Sequence, residues 1–325
     1  MGLSDKKPAP WRNPLVGREL ALGLVATLLF FMSMLMIPLG GAFFGIFTPL
    51  PTLLFYYRWG SPLGYWVPGG AAAAGSLLLS YLGMVPTIPF FLGLLGLGFL
   101  LGLGMREHWT VEKTIGSSSL FLFSLGAIAA GLISTGIEGG LVLHMEKSLE
   151  QTISAVFQQY GAPSPEKSLL EQSLLEFVPT AVRLMPGAAF SSILIVSWLN
   201  VLVVMRYCSL HQMPLPPWGK WTLWKAPEIL VWGVIAGGFA LLLPFEFLRT
   251  PAMNVLVVLG TIYLFQGLAV AAFYFERWKL PRVLRAILYG FFLLQMSATL
   301  GAIFLGFIDV WIDFRRFARK PSSTP

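Results

Sequence analysis

The chain has 325 residues, of which 56% are hydrophobic and only 11% are charged, and its mean hydropathy is +0.74. A soluble globular domain has about a quarter of its residues charged, so this composition excludes that class and predicts a protein that crosses a membrane several times. The net charge of +7 is expected to mark a basic cytoplasmic face and not a nucleic-acid site. The single cysteine, Cys208, excludes an internal disulfide and a metal site built from thiolates.

Apolar segments separated by polar loops predict an all-α, polytopic membrane protein with about nine hydrophobic segments, or about eight to ten spans. The segments run over residues 19–38, 41–57, 63–82, 86–105, 114–137, 187–208, 226–243, 252–275 and 284–308. The second segment is short and flanked by prolines, so we expect it to be broken or partly re-entrant. The first is too long for the apolar part of a signal peptide and is interpreted as a retained span.

The only long polar excursion covers residues 138–186. Leu149, Ile153 and Val156 recur at helical spacing within it, which predicts an amphipathic helix. A second helix is expected to start with Ser164 as its cap and Pro165 in its first turn, and Pro179 should end or kink it. Two interpretations stay open: the two helices form an external lid over a cavity, or they lie in the membrane interface with their apolar faces in lipid.

The distribution of basic residues predicts the orientation. With a cytoplasmic N-terminus, fourteen of the 22 basic residues fall in inside loops and only Lys147, Lys167, Arg183 and Arg249 fall outside, while the last four lie in the C-terminal tail. Nine spans would leave that basic tail outside, whereas two short passes over residues 284–314, broken near 297–301, would return it to the cytoplasm. The predicted parts are a cytoplasmic segment (1–18), a first transmembrane block (19–137), the external excursion (138–186), a second transmembrane block (187–314) and the basic tail (315–325).

No arrangement of residues indicates catalysis. The three histidines are far apart in sequence, and no zinc-protease, phosphate-loop or serine–lysine pattern occurs. We therefore predict no catalytic, cofactor-binding or metal-binding residue, and an enzyme is the third hypothesis. The glycine run over residues 93–104 lies in an apolar segment, where the four-residue spacing of Gly98 and Gly102 predicts close helix packing.

Polar residues within or beside the apolar segments are the better candidates, because hydrocarbon makes them costly unless they face a partner or a cavity. Each can be explained by hydrogen bonding between helices or by ligand binding. At the end of the last segment, Asp309 and Asp313 are one helical turn apart and Trp311 is a candidate interface anchor, which predicts an ion-paired helix end or a docking point for a partner. The candidates for ligand or partner binding are Asn200, Asn254, Gln266, Gln295, Asp309, Trp311, Asp313 and Arg315.

Four features of the second half resemble a known family. They are Met185-Pro186, the run Pro214–Trp224 with Pro227, Asn254 followed by the run Tyr263–Val270, and Gly306-x-x-Asp309-x-Trp311-x-Asp313-Phe314-Arg315. This combination resembles the YybS-like family of bacterial multi-pass membrane proteins, a domain of unknown function, over nearly the whole chain. The resemblance implies the bacterial cytoplasmic (inner) membrane and brings no established activity.

The first half more weakly resembles another family. Its proline-rich second element, the aromatic-basic run Tyr56–Gly60 and the small-residue stretch Gly69–Gly75 are similar to the substrate-binding subunits of energy-coupling-factor vitamin transporters. The leading hypothesis is a small-molecule binding or transport component. The alternative is a non-transporting scaffold or regulator that assembles with another membrane complex. The expected partners are the lipid bilayer, a small-molecule ligand and a membrane protein.

Overall fold

The computed structural model describes residues 14–37, 40–159 and 165–316. Within these ranges the regular structure is entirely helical and contains no strand, which confirms the predicted all-α class. The helices are α1 Pro14–Met36, α2 Gly41–Gly45, α3 Pro49–Trp59, α4 Trp66–Tyr81, α5 Ile88–Arg106, α6 Val111–Ser134, α7 Gly140–Gln159, α8 Pro165–Leu210, α9 Leu230–Leu242, α10 Glu246–Arg277, α11 Arg282–Leu294 and α12 Met296–Ile312. The predicted cap Ser164, most of the N-terminal segment and the tail after Arg316 lie outside the described residues.

Five helices are long and apolar enough to cross a bilayer, and the bent pair α11–α12 brings the number to six if it counts as one span. Each of the nine predicted segments overlaps a helix, but nine crossings are not confirmed. The second segment is broken into α2 and α3, as its prolines predicted. The last segment is also broken, with a 98° bend between α11 and α12, close to the position predicted for two short passes.

Helix α8 differs most from the sequence prediction. It is continuous over 46 residues and contains both Pro179 and Pro186, so the helix that starts at Pro165 does not end at Pro179. The predicted boundary between excursion and second block, at residue 186, therefore lies inside a helix. The assignment of the two parts to the outside and to the membrane stays a prediction.

The chain divides into two compact units, and α6 and α8 contribute to both. Unit 1 comprises Met1–Leu122 and Ile193–Trp218, and unit 2 comprises Phe123–Ser192 and Gly219–Pro325, each within the described residues. In unit 1, Phe31 of α1, Leu79 of α4 and Phe91 of α5 belong to a fully buried cluster. Apolar side chains on several helices thus form its core.

The predicted close packing of the glycine run is confirmed in unit 1. A side-chain carbon added to Gly98 would lie 2.3 Å from the Pro49 carbonyl oxygen, and one added to Gly102 would lie 2.9 Å from that of Leu53. These glycines let α5 and α3 approach until backbone meets backbone, as small residues do in membrane helices.

Unit 2 is organised around α10. Ala226, Val231 and Leu259 form its buried core together with Tyr263, against which Phe307 of α12 packs edge-on at 5.3 Å between ring centroids. Closer contacts between α10 and α12 occur at glycines. A side-chain carbon on Gly267 would lie 1.9 Å from the Ala302 carbonyl oxygen, and one on Gly306 would lie 2.0 Å from that of Tyr263.

Large apolar side chains are exposed on many helices, among them Leu29 on α1, Leu77 on α4 and Phe121 on α6, each more than 60% exposed. Such extensive apolar surface is what a bilayer covers. Helix α7 has no buried residue. On its apolar face Leu149, Ile153 and Phe157 are half-buried and Val156 is exposed, so the face is only partly covered by the protein, which fits a position in the membrane interface.

Candidate functional site

Most of the predicted site residues lie in unit 2, where they separate into two places. Gln266, Asp309 and Arg315 meet where the C-terminal half of α10 packs against the end of α12, while Asn254 holds α10 to α8 elsewhere. Asn200 lies in unit 1 and hydrogen-bonds to the Ile46 carbonyl oxygen. The structure therefore brings only part of the predicted set together.

The first place is a buried charged cluster centred on Asp309, one turn before the end of α12. Its Oδ2 accepts a hydrogen bond from Gln266 Nε2 at 3.0 Å and the Nη2–H of Arg315, with which it forms an ion pair. Its Oδ1 accepts the Phe314 N–H at 3.1 Å. Asp309 and Gln266 are fully buried and Arg315 is 1% exposed, so the carboxylate is neutralised and hydrogen-bonded entirely within the protein.

The same cluster fastens the segment before α9. Arg315 Nη1 donates to the carbonyl oxygens of Thr222 and Trp224, at 3.1 and 2.9 Å. Gln266 Oε1 accepts the Ala226 N–H at 3.1 Å. Each carboxylate oxygen and each polar atom of the Gln266 amide thus has a partner, and the arrangement is a closed structural network, not an open binding site.

A residue in the left-handed backbone conformation allows Arg315 to reach Asp309. Asp313 has φ +44° and ψ +69° directly after α12, a conformation that Asp tolerates better than most residues, and the turn folds Arg315 back towards Asp309. Asp313 also pairs with Lys225 at 3.1 Å on the half-exposed edge of the cluster. Trp311, in contrast, is 58% exposed. Of the predicted docking point, Asp309 and Arg315 are therefore enclosed, whereas Trp311 is accessible.

The second place is a clamp between α8 and α10 made by Asn254. Its Oδ1 accepts the Gly187 N–H at 2.5 Å, and its Nδ2 donates to the Arg183 carbonyl oxygen at 2.8 Å. In an uninterrupted helix the N–H of residue 187 would pair with the carbonyl of residue 183. The Asn254 amide thus bonds to two groups of the α8 backbone next to Pro186, one as acceptor and one as donor.

A cleft of about 170 Å³ lies beside this clamp. Its lining combines two arginines, one glutamate and two hydroxyl groups from α8 and α10: Thr180, Arg183, Glu246, Arg249, Thr250 and Met253. Within the described residues, neither guanidinium group forms an ion pair, and Glu246 forms none either. All three residues are exposed, and the cleft presents two positive charges and one negative charge that form no ion pair with one another.

Sequence reasoning did not select this cleft. In the sequence, Arg183 and Arg249 stand out only as two of the four basic residues predicted outside, and no motif marks Thr180, Thr250 or Glu246. A signal was present, since an arginine on the side that the charge bias disfavours needs a reason to be there. What could not be foreseen is that α8 continues through Pro186 and carries Arg183 alongside α10.

Two of the predicted site residues, Gln295 and Asn200, belong neither to the Asp309 cluster nor to the Asn254 clamp. Gln295 is exposed at the break between α11 and α12, and its Nε2 lies 3.4 Å from Ser297 Oγ. Asn200 donates to two backbone carbonyls, of Ile46 and Val196, at 2.9 and 2.7 Å, and its buried Oδ1 has no partner among the described residues. Asn200 thus serves helix packing in unit 1, while Gln295 lies at a helix break.

Sequence reasoning also missed several buried hydroxyl groups in unit 1. Thr48 and Thr52 are four residues apart, as are Thr114 and Ser118, and none of the four has a hydrogen-bond partner within the described part of the chain. A four-residue spacing puts each pair on one helix face, which is the sequence signal. The described residues contain no group of three or more His, Cys, Asp or Glu side chains arranged to hold a metal ion.

One comparison with known proteins gives a match. A family model described as "Predicted membrane protein (DUF2232)" matches residues 25–310, which is most of the chain, in agreement with the expected membership of a membrane protein family of unknown function. No curated protein and no solved structure matches. The likeness of the first half to vitamin-uptake subunits stays a prediction.

Proposed function

We propose, from the premise that the chain belongs to the DUF2232 family of predicted membrane proteins, that it is a small-molecule binding or transport component of a bacterial cytoplasmic membrane. Its N-terminus lies in the cytoplasm in this proposal, following the distribution of basic residues. The binding site is the cleft between α8 and α10 in unit 2.

The observation that supports this proposal is the unpaired polar lining of that cleft. Arg183, Glu246 and Arg249 are exposed, so their charged groups stay solvated, and no ion pair within the described residues occupies them. Arg183 and Arg249 line a recess without a counter-ion, whereas Asp309 and Arg315 neutralise each other. Of the two polar places in unit 2, only the cleft thus has bonding capacity left for a ligand.

The charge distribution supports an external position for the cleft. Arg183 and Arg249 both belong to the few basic residues assigned outside, so a ligand would enter from the external medium. That is the side from which an uptake component captures its substrate.

The scaffold hypothesis is second, because the structure encloses two of its key residues. A partner docking on the end of α12 would contact Trp311, which is 58% exposed, and could not reach Asp309 without opening the cluster. Reproducible cross-links from Trp311 to another membrane protein in native membranes would favour this function over ligand binding.

The test of the proposed function is purification of the full chain in mild detergent, with mass spectrometry of the small molecules that remain bound. We expect at least one retained metabolite, and we expect its re-addition to raise the unfolding temperature of the stripped protein. Deletion of the gene should lower uptake of the same compound. The proposal is wrong if no metabolite is retained, none stabilises the protein and deletion alters the uptake of none.

A further inference from the structure

The cleft between α8 and α10 has walls whose separation is fixed by the protein itself. A side-chain carbon on Gly187 would lie 2.7 Å from Asn254 Oδ1 and 2.9 Å from its Cα, so the two helices are in direct contact there. Arg183 is one turn before Gly187 and Thr250 is one turn before Asn254. The lining residues therefore lie directly beside a crossing that the Asn254 hydrogen bonds hold, which fixes the backbone positions from which their side chains extend.

The cleft is lined by side chains that recognise oxyanions. A guanidinium group offers a planar fork of N–H donors that fits two oxygens of one carboxylate or phosphate. The hydroxyl groups of Thr180 and Thr250 add two further donors. Arg183 and Arg249 come from different helices, so an anion between them can be held from two sides.

The net charge of the cleft lining also favours an anionic ligand. The two arginines and Glu246 give the lining one excess positive charge, and the glutamate is paired with neither arginine among the described residues. An anion would supply the missing countercharge, while Glu246 would repel it. The glutamate should therefore weaken the binding of a simple anion rather than contribute to it.

The volume limits the size of the ligand. Pockets for drug-sized molecules measure about 300–1,000 Å³, and this cleft measures about 170 Å³. It suits one compact anionic group with little attached, or the headgroup of a larger molecule that extends out of the opening.

We infer that the cleft is a binding site for a compact oxyanion, a phosphate or carboxylate group held between Arg183 and Arg249. This inference rests on the proposed function, since it names the class of ligand for the same cleft. The oxyanion has two sources, a soluble compound or the headgroup of an anionic lipid, and both present the same chemistry to the arginines.

The test measures binding of inorganic phosphate and of succinate to the detergent-purified full chain, by calorimetry at constant ionic strength. The variants are Arg183→Gln and Arg249→Gln, with Arg282→Gln as the control, because Arg282 is exposed in unit 2 outside the cleft. Each cleft variant should weaken the affinity about tenfold to a hundredfold, as expected for a lost charge-assisted hydrogen bond. The control should stay within about twofold of the parent, which removes the effect of net charge.

The variant Glu246→Gln should change the affinity for an anion in the opposite direction. Removal of the repelling carboxylate should tighten anion binding several-fold, a gain that partial misfolding could not produce.

The second arm reconstitutes each variant into nanodiscs of phosphatidylcholine, with or without phosphatidylglycerol. Stabilisation by phosphatidylglycerol that is lost in both cleft variants, without binding of free phosphate or succinate, would identify the headgroup as the source and support the inference.

The inference is overturned if neither free anion nor phosphatidylglycerol binds, or if the cleft variants lose no more affinity than Arg282→Gln. Its failure can be separated from failure of the proposed function. A retained metabolite that stabilises Arg183→Gln and Arg249→Gln as well as it stabilises the parent would refute the oxyanion site and leave small-molecule binding in place.

Discussion

Asp309 and Arg315 illustrate how a single pair of residues can determine the end of a fold. Both are removed from solvent, and each compensates the desolvation of the other while Gln266 and three backbone groups satisfy the remaining hydrogen bonds. Loss of one partner from such a pair is far more costly than loss of an exposed ion pair, because it leaves a buried charge without compensation.

The variant Asp309→Asn tests the contribution of this buried ion pair with almost no change in the shape of the side chain. We expect it to lower the free energy of unfolding by about 3–5 kcal/mol, since Arg315 stays buried and charged. The matched control is Asp313→Asn, whose half-exposed pair with Lys225 should contribute less than about 1 kcal/mol. Titration with a denaturing detergent, monitored by tryptophan fluorescence, measures the free energy of unfolding of both variants. Equal stability of the two variants would contradict a buried charge pair.

The residues of this cluster could be selected from the sequence, but their contacts could not. Gln266 and Asp309 stand out because they are polar within or beside apolar segments. Their backbone partners at Thr222, Trp224 and Ala226 belong to an irregular segment whose position depends on the packing of α9 and α10. No local pattern encodes that pairing. The role of Arg183 was missed because residue 183 was expected in the external excursion and not in a helix that continues alongside α10.

At the scale of the helices, glycines determine how closely neighbours approach. Helices α10 and α12 meet at Gly267 and Gly306, where no side-chain atom fits between them. Away from the close contact of Gly267 with Ala302, residues later in α10 contact residues later in α12 or just after it: Tyr263 meets Gly306, Gln266 meets Asp309 and the Tyr274 hydroxyl donates to the Phe314 carbonyl. The two helices are therefore parallel.

Two glycines of α12 offer a matched comparison. An alanine methyl at residue 306 would collide with the Tyr263 carbonyl oxygen, whereas the same methyl at residue 301 would meet nothing within 4 Å. We expect Gly306→Ala to destabilise unit 2 by at least about 1–3 kcal/mol through overpacking. Gly301→Ala should be neutral or stabilise by about 0.5–1 kcal/mol, because alanine favours helix. Thermal unfolding in detergent distinguishes them, and equal melting temperatures would show that α12 does not pack tightly at residue 306.

The same comparison in unit 1 uses two glycines of α5. Gly98→Ala would drive a methyl group against the Pro49 carbonyl oxygen, while Gly96 has open space around it. We expect Gly98→Ala to lower the unfolding temperature and Gly96→Ala to leave it unchanged or raise it. If both variants melt together with the parent, α3 and α5 are not in backbone contact.

Prolines were the less reliable guide at this scale. The sequence predicted that Pro179 would end or kink a helix, yet α8 continues through both Pro179 and Pro186. Next to Pro186, Asn254 from a helix distant in sequence bonds to the Gly187 N–H and the Arg183 carbonyl oxygen, which holds the α8 backbone at that point. The breaks around the second segment and near Gln295 were foreseen more accurately, because no neighbouring side chain was needed to explain them.

For the molecule as a whole, the parallel arrangement of α10 and α12 bears on the membrane topology. Both the last turn of α10 and the end of α12 lie at the Tyr274–Phe314 contact. The chain between them therefore leaves this end of unit 2 along α11, bends by 98° and returns along α12. A pair that leaves and returns does not reverse the side of the membrane, so the residues after α12 should be on the same side as the loop after α10.

The parallel packing of α10 and α12 supports a cytoplasmic tail, as the charge distribution does, and a labelling experiment tests it. The only native cysteine, Cys208, is buried, so single cysteines can be introduced at the exposed positions Gln151, Lys279 and Arg316. In intact cells, a membrane-impermeant maleimide should label Gln151→Cys and should reach Lys279→Cys and Arg316→Cys only after lysis. Labelling of Arg316→Cys but not Lys279→Cys in intact cells would make α11–α12 a complete crossing. Labelling of Lys279→Cys but not Gln151→Cys would reverse the orientation and place the Arg183–Arg249 cleft on the cytoplasmic side.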